Sequence, residues 1–318
     1  MNWMVLESLA PVALLIGTGV VAGKLGWVKQ TAVKGLTDLV FLLLTPALMF
    51  RTMAQVRVEQ LDFTPVAAYF AAIGVLFVGI VGLQGFGRRA VVLALAGTYS
   101  NAVMIGTALV SLVFGPQGLV TLLTLISVHA LVMLTLTTLV LEIAVQRDQG
   151  AAQGSAQTWA HWSGLGLTVG RAVKSTVLHP VPLPILLGLA FAQTGLALPE
   201  VIDKPLALLA QAFAPLALLL VGVTLAFTQV GSHWRGALVL TGVKNLLHPL
   251  LVWLLCGLLG VQGLPATVMV LAAALPIGAN VFLFAQRYGV AQDLVTASVA
   301  VSTASALLTL TAVLLLLA

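Results

Sequence analysis

Charge is what this sequence has least of. Only 7% of its 318 residues are Asp, Glu, Lys or Arg, and just nine are acids. A separate water-soluble domain needs more polar surface than that, so none is expected. Cysteine is scarcer still. Cys256 stands alone in an apolar run, which excludes an intrachain disulfide and leaves the redox compartment unreadable. The five histidines show no metal-ligand spacing, and no nucleophile–base constellation occurs. Intramembrane GxGD and GxSG signatures and paired catalytic carboxylates are also missing, which argues against a membrane-embedded enzyme. Gly17-Thr-Gly19 follows no strand, so it is not a dinucleotide fingerprint, and no cofactor is expected. No basic residue precedes the first apolar run, MNWMVLESLAPVALL, so no cleavable signal is expected.

What fills the space is apolar. Hydrophobic residues make up 60% of the chain and the mean hydropathy is +1.13, the composition of an integral membrane protein. A spanning helix takes roughly 20 apolar residues. Ten runs qualify, near 4–23, 33–53, 64–86, 89–113, 118–145, 178–197, 205–229, 236–259, 264–286 and 292–317. With the N-terminus outside, the cytoplasmic side receives Lys24, Lys29, Lys34, Arg88, Arg89, Arg147, Arg171, Lys174, Arg235 and Arg287. The outside receives only Arg51, Arg57 and Lys204, an asymmetry that fits the positive-inside rule. Both termini are then expected outside.

Residues 147–177 divide the chain. Gly, Gln, Ala and Ser at their start read as a flexible linker. Trp159, Trp162, Arg171 and Lys174 suggest a short helix at the cytoplasmic interface. The flanking halves, 1–146 and 178–318, each hold five expected helices. Similar features recur in the same order: Pro46 and Pro215 in the second helix of each half, and Gly115 and Gly289 after the fourth. Five spans is an odd number, so the second copy enters the membrane inverted, as in many secondary transporters.

The fourth helix of each half is interrupted. Residues 271–288, LAAALPIGANVFLFAQRY, carry Pro276 and Gly278 before Asn280. Residues 94–109 carry Gly97, Thr98, Ser100 and Asn101 at comparable depth. Pro276 is expected to end or kink its helix. Broken backbone survives in hydrocarbon only when buried in protein or lining a wet cavity. Such a pair points to a transporter's binding site. The plainer alternative is two kinked packing helices.

The stretches GVVAGKLGWV, LTDLVFLLLTPALMF, SNAVMIG, HPVPLPILLGLAFAQTGLALP, APLALLLVGVTLA, KNLLHPLL and ALPIGANVFLFAQRYGV together resemble the bacterial branch of the auxin efflux carrier family, over nearly the whole chain. The resemblance implies an all-α membrane protein of ten helices in two inverted five-helix repeats. It implies broken helices 4 and 9 crossing at mid-membrane, and elevator-like movement of a core against a scaffold. It also implies a small organic anion as substrate, such as auxin, malate or malonate, and a possible homodimer. Two positions depart from the family pattern. Ser100 stands where a proline often precedes the asparagine, and Thr107 where one often follows Gly106. The first break is therefore expected to be softer, or held open by Thr98 and Ser100 bonding locally to backbone.

An anion at the breaks would meet free amides at the start of each second half-helix. The expected substrate-binding residues are Ser100, Asn101, Ala102, Val103, Pro276, Gly278, Ala279 and Asn280. The competing role for Asn101 and Asn280 is to satisfy carbonyls freed by the breaks. His129, mid-span in helix 5, is read either as a substrate or proton site or as a neutral histidine bonded to a neighbour. Lys244 shares a face with His248. Snorkelling is the first expectation for Lys244, and charge or proton coupling the second. The coupling ion, H+ or Na+, stays open. Pro46, Gly97, Pro215 and Pro276 are the expected break or bend points. Gly19 with Gly23, and Gly74 with Gly79, Gly82 and Gly85, are expected packing surfaces. Glu7, Asp38 and Glu142, near helix ends, are expected to be solvated or paired. A channel or a non-transporting sensor on the same fold is the rival to a carrier.

Overall fold

The computed structural model describes residues 2–57, 59, 61–153, 181–228 and 231–317. The expected interfacial helix around Trp159 and Trp162 lies outside them. The described residues are helical apart from turns and one short extended pairing. The helices are α1 (Asn2–Lys24), α2 (Gln30–Leu39), α3 (Thr45–Met53), α4 (Thr64–Gln84), α5 (Arg88–Thr98) and α6 (Thr107–Gln153). They continue as α7 (Pro182–Ala192), α8 (Glu200–Phe227), α9 (Trp234–Gly242), α10 (His248–Leu258), α11 (Gly263–Ala274), α12 (Asn280–Arg287) and α13 (Gln292–Leu317).

Among the described residues, six helices are long and apolar enough to cross a membrane, and three shorter apolar helices accompany them. Backbone breaks account for part of the difference from the ten apolar runs. Spans expected at 89–113 and 264–286 are each cut in two, and Gly115, at φ 61°, kinks α6 where one span was expected to end and the next to begin. Outward-facing residues such as Leu83, Leu258, Leu308 and Leu316 are largely exposed. That would be a liability in water and is what lipid contact calls for.

Among the described residues, three one-turn π widenings occur, Val40–Leu44, Ala102–Gly106 and Val243–Leu247. Two of these turns stand just before a proline, Pro46 and Pro249. A proline has no amide for the carbonyl four residues back, and its ring crowds that carbonyl, so a wider turn relieves both. Threonine hydroxyls take up the slack, Thr45 Oγ1 donating to Val40 O at 2.8 Å and Thr107 Oγ1 to Ala102 O at 3.2 Å. Pro215, by contrast, sits inside the continuous helix α8.

The helices pack in two groups. α1 lies along α8, and α3 packs against α7 and α8. α4 packs on α5 and α10, α10 on α11, and α13 on α9, α11 and α12. The α1–α8 contact is backbone on backbone. A Cβ at Gly19 would lie 2.0 Å from Leu219 O, and one at Gly222 would lie 2.0 Å from Ile16 O. Gly19 and Gly23 therefore form the packing surface expected of them. The expectation for Gly74, Gly79, Gly82 and Gly85 is corrected: an added Cβ there would meet nothing within 4 Å. Gly74, Gly79 and Gly82 lie on α4 with no neighbour among the described residues, and Gly85, at φ 77°, ends that helix. Among the acids, Glu142 accepts the Tyr288 hydroxyl at 2.9 Å, tying α6 to the end of α12. Burial first, and then the carboxylate, hold the Tyr288 phenol above its ordinary value.

Candidate functional site: two interrupted helices paired back to back

Helix α5 stops at Thr98, and the chain runs extended through Tyr99 and Ser100 before turning at Asn101 into the widened turn Ala102–Gly106. Helix α11 stops at Ala274, Leu275 is extended (ψ 151°), and helix resumes at Asn280. The second stop is local in origin. The residue before a proline is pushed out of the helical region, and Leu275 precedes Pro276. The first stop has no proline. There the extended backbone is held by a partner, since the Ser100 and Tyr69 hydroxyls bond at 2.8 Å. Thr98 does bond locally as expected, donating to Ala94 O at 2.7 Å. Ser100 instead reaches across to α4.

The two extended pieces pair antiparallel, Ser100 opposite Ile277. The Asn101 amide donates to Pro276 O and the Gly278 amide to Tyr99 O, both at 2.9 Å. Ile277 N–H donates to Ser302 Oγ at 3.1 Å, and Ser302 O accepts from Asn245 Nδ2 at 3.1 Å. Gly278 is required here because a Cβ would lie 2.6 Å from the Tyr99 ring. The pairing uses two of the amides expected to be free for an anion, those of Asn101 and Gly278. First-turn amides have no helical acceptor, so the donors that remain belong to Ala102 and Val103 on one side and Ala279 and Asn280 on the other. Ala279 and Asn280 are exposed, Asn101 and Val103 are half-buried, and Ser100, Ala102, Pro276 and Gly278 are buried. The Asn280 side chain donates to the Tyr99 hydroxyl at 3.2 Å. Gly97 is buried one turn before the break, its face closed by Ile80 and Val243.

Around the pairing lies a buried polar cluster. The His129 ring centre is 4.8 Å from that of Tyr99 and 5.7 Å from that of Tyr69, and His248 is 5.1 Å from Tyr69. Among the described residues, His129 Nε2 and both ring nitrogens of His248 have no hydrogen-bond partner. The snorkelling expectation for Lys244 is corrected. Its side chain is 0% exposed and turns inward, donating to Ala273 O and, at 2.7 Å, to Leu275 O. These carbonyls close the end of α11, where the helix leaves acceptors unpaired and its dipole is negative. The break attracts the lysine more strongly than the distant interface does.

Sequence reasoning passed over Tyr69, Tyr99, Asn245 and Ser302. Tyr99, Asn245 and Ser302 are polar groups at mid-span depth, and Tyr99 directly precedes Ser100, so that depth was their available signal; Tyr69, near the start of its expected span, carried none. A separate cleft of about 520 Å³ lies between α3, α8 and the Gly115 kink, lined by Arg51, Gln55, Ser111, Gln117 and Gln211. None of the paired break residues lines it.

The sequence pattern of a family described as membrane transport protein matches residues 4–314. A protein of Rhizobium meliloti (strain 1021) named "Putative malonate transporter" is 29% identical over 300 residues, which cover 92% of this chain and 87% of its own.

Proposed function

We propose that this chain, which belongs to the membrane transport protein family of auxin efflux carriers, is a secondary carrier of small organic anions, mono- or dicarboxylates of the malonate or malate kind. The ten apolar runs form two inverted five-helix repeats in a bacterial inner membrane, with both termini outside. One packed group, α1 with α3, α7 and α8, serves as scaffold. The other, α4, α5 and α9–α13, moves the anion in an elevator-like stroke.

The observation that carries this reading is the antiparallel pairing of two interrupted helices. It leaves amide donors at the starts of two half-helices and the exposed Asn280 beside them. Two positive helix ends and an amide side chain can hold a carboxylate without a metal. The relative's name supports malonate as the first anion to try.

Counterflow in proteoliposomes tests the proposal. Labelled malonate should exchange against trapped unlabelled malonate, whereas a pore would dissipate the gradient and a sensor would do neither. Asn280→Ala and Asn101→Ala should raise the half-saturating concentration about tenfold or more, the usual effect of losing a bond to a charged group. Unchanged affinity in both variants would remove the pairing as the binding site.

A further inference from the structure

Among the described residues, the cluster around the break holds a lysine with no acid beside it. Lys244 sits in the widened turn Val243–Leu247 at 0% exposure, bonded to two carbonyls at the end of α11. α11 contains no ionisable residue. The acid on α13 is Asp293 in its first turn, nine residues from Ser302 and so ~13 Å along the helix. α5 contributes Arg88 and Arg89 at its far end and Tyr99 beyond its break, and α9 contributes Arg235. α10 adds His248 and Cys256. Lys244 lies in electrostatic range of His129 and His248, and Tyr69 lies between those two rings. No carboxylate of the described residues faces the amine.

Counting hydrogens makes this specific. A neutral lysine amine carries two, and two carbonyls receive them. The ammonium carries a third hydrogen, with no acceptor among the described residues, and a full charge that the negative end of α11 offsets only in part. In a low-dielectric interior an unpaired charge is heavily penalised, and a nearby anion relieves that penalty without direct contact. A cation near the paired breaks adds to the helix-end donors that hold an anion there.

We propose that Lys244 is the group that carries a coupling proton, taking it up when a carboxylate binds at the paired breaks, so that the carrier is a proton–anion symporter. The balance is simple: the Nζ lone pair accepts one proton, one of the two negative charges of fully ionised malonate compensates it, and proton and anion leave together on the far side with one negative charge left over. Binding of either partner strengthens binding of the other by the same factor. The proposal rests on the carrier reading above and adds its driving ion.

Isothermal titration of malonate into the purified full chain tests it, run at mildly alkaline pH where malonate is fully ionised, in two buffers of different ionisation enthalpy. The expected result is uptake of about one proton per malonate bound, kept in His129→Gln and His248→Gln and absent in Lys244→Arg, whose guanidinium cannot lose its charge. Lys244→Gln, with two amide hydrogens for the two carbonyls, should likewise show none. In proteoliposomes an acidic exterior should drive wild-type malonate accumulation and acidify the lumen. Binding heat with no proton uptake in the wild type would overturn the role of Lys244 and leave the carrier standing. Proton uptake that survives Lys244→Arg, or that vanishes in either histidine variant, would also overturn it. Absence of both malonate binding and malonate counterflow would end the carrier reading and this proposal with it.

Discussion

Tyr69 and Ser100 show how a single side chain can replace a proline. The ring is fully buried, and its hydroxyl pairs with a serine whose backbone has left the helix. Removing either hydroxyl leaves the other buried without its partner, at a cost of about 1 kcal/mol. Tyr69→Phe and Ser100→Ala should each lower stability by that amount, and the double variant should lose little more than one of them. The lone Cys256, buried at 1% exposure, supplies the assay, because a thiol-reactive dye reports unfolding. Fully additive losses would mean that the two hydroxyls do not act on each other.

Helices show the same division between contact and composition. Gly222 on α8 touches the α1 backbone, so the Cβ of Gly222→Ala must push the two helices apart, an overpacking cost of about 2 kcal/mol. Gly74 meets open space on α4, and Gly74→Ala should be neutral or gain up to ~1 kcal/mol of helix propensity. The same melting assay ranks the pair, and equal losses at both positions would show that something also packs on α4. Prolines act on elements too. Pro249→Ala restores an amide donor at the widened turn that carries Lys244. The turn should then tighten and draw the lysine off the α11 carbonyls. Malonate half-saturation should rise at least severalfold while melting changes little, since a helical bond is gained as the lysine bonds are lost. Unchanged half-saturation would disconnect the turn from the site.

Across the whole molecule, few charges lie far from the expected helix ends, and their sides set the orientation. Cys256→Ala gives a background without thiols. In it, Lys204→Cys should react with a membrane-impermeant maleimide on intact cells, and Arg235→Cys only after permeabilisation. Both parent residues are exposed, Lys204 in the first turns of α8 and Arg235 in α9, just beyond the other end of α8. The reverse labelling pattern would turn the topology over. It would leave the paired breaks unaffected, since the proposed inverted repeats would present similar ends to both faces.

The sequence by itself determined the membrane habitat, the helical class and the place of the second break. Each follows from a penalty paid within a few residues: apolar runs cannot face water, and Pro276 lacks an amide and forces Leu275 out of the helix. The charge asymmetry that orients the proposed topology is likewise a property of composition and order. Partners were a different matter. The bond between Tyr69 and Ser100 joins residues 31 apart, and that between Asn280 and Tyr99 spans 181. Lys244 finds its carbonyls about 30 residues downstream, and no local rule says that it should turn inward. Only the tertiary structure decided these contacts, and with them which glycines touch, because the free energy of a buried polar group depends on what the rest of the chain brings within bonding distance.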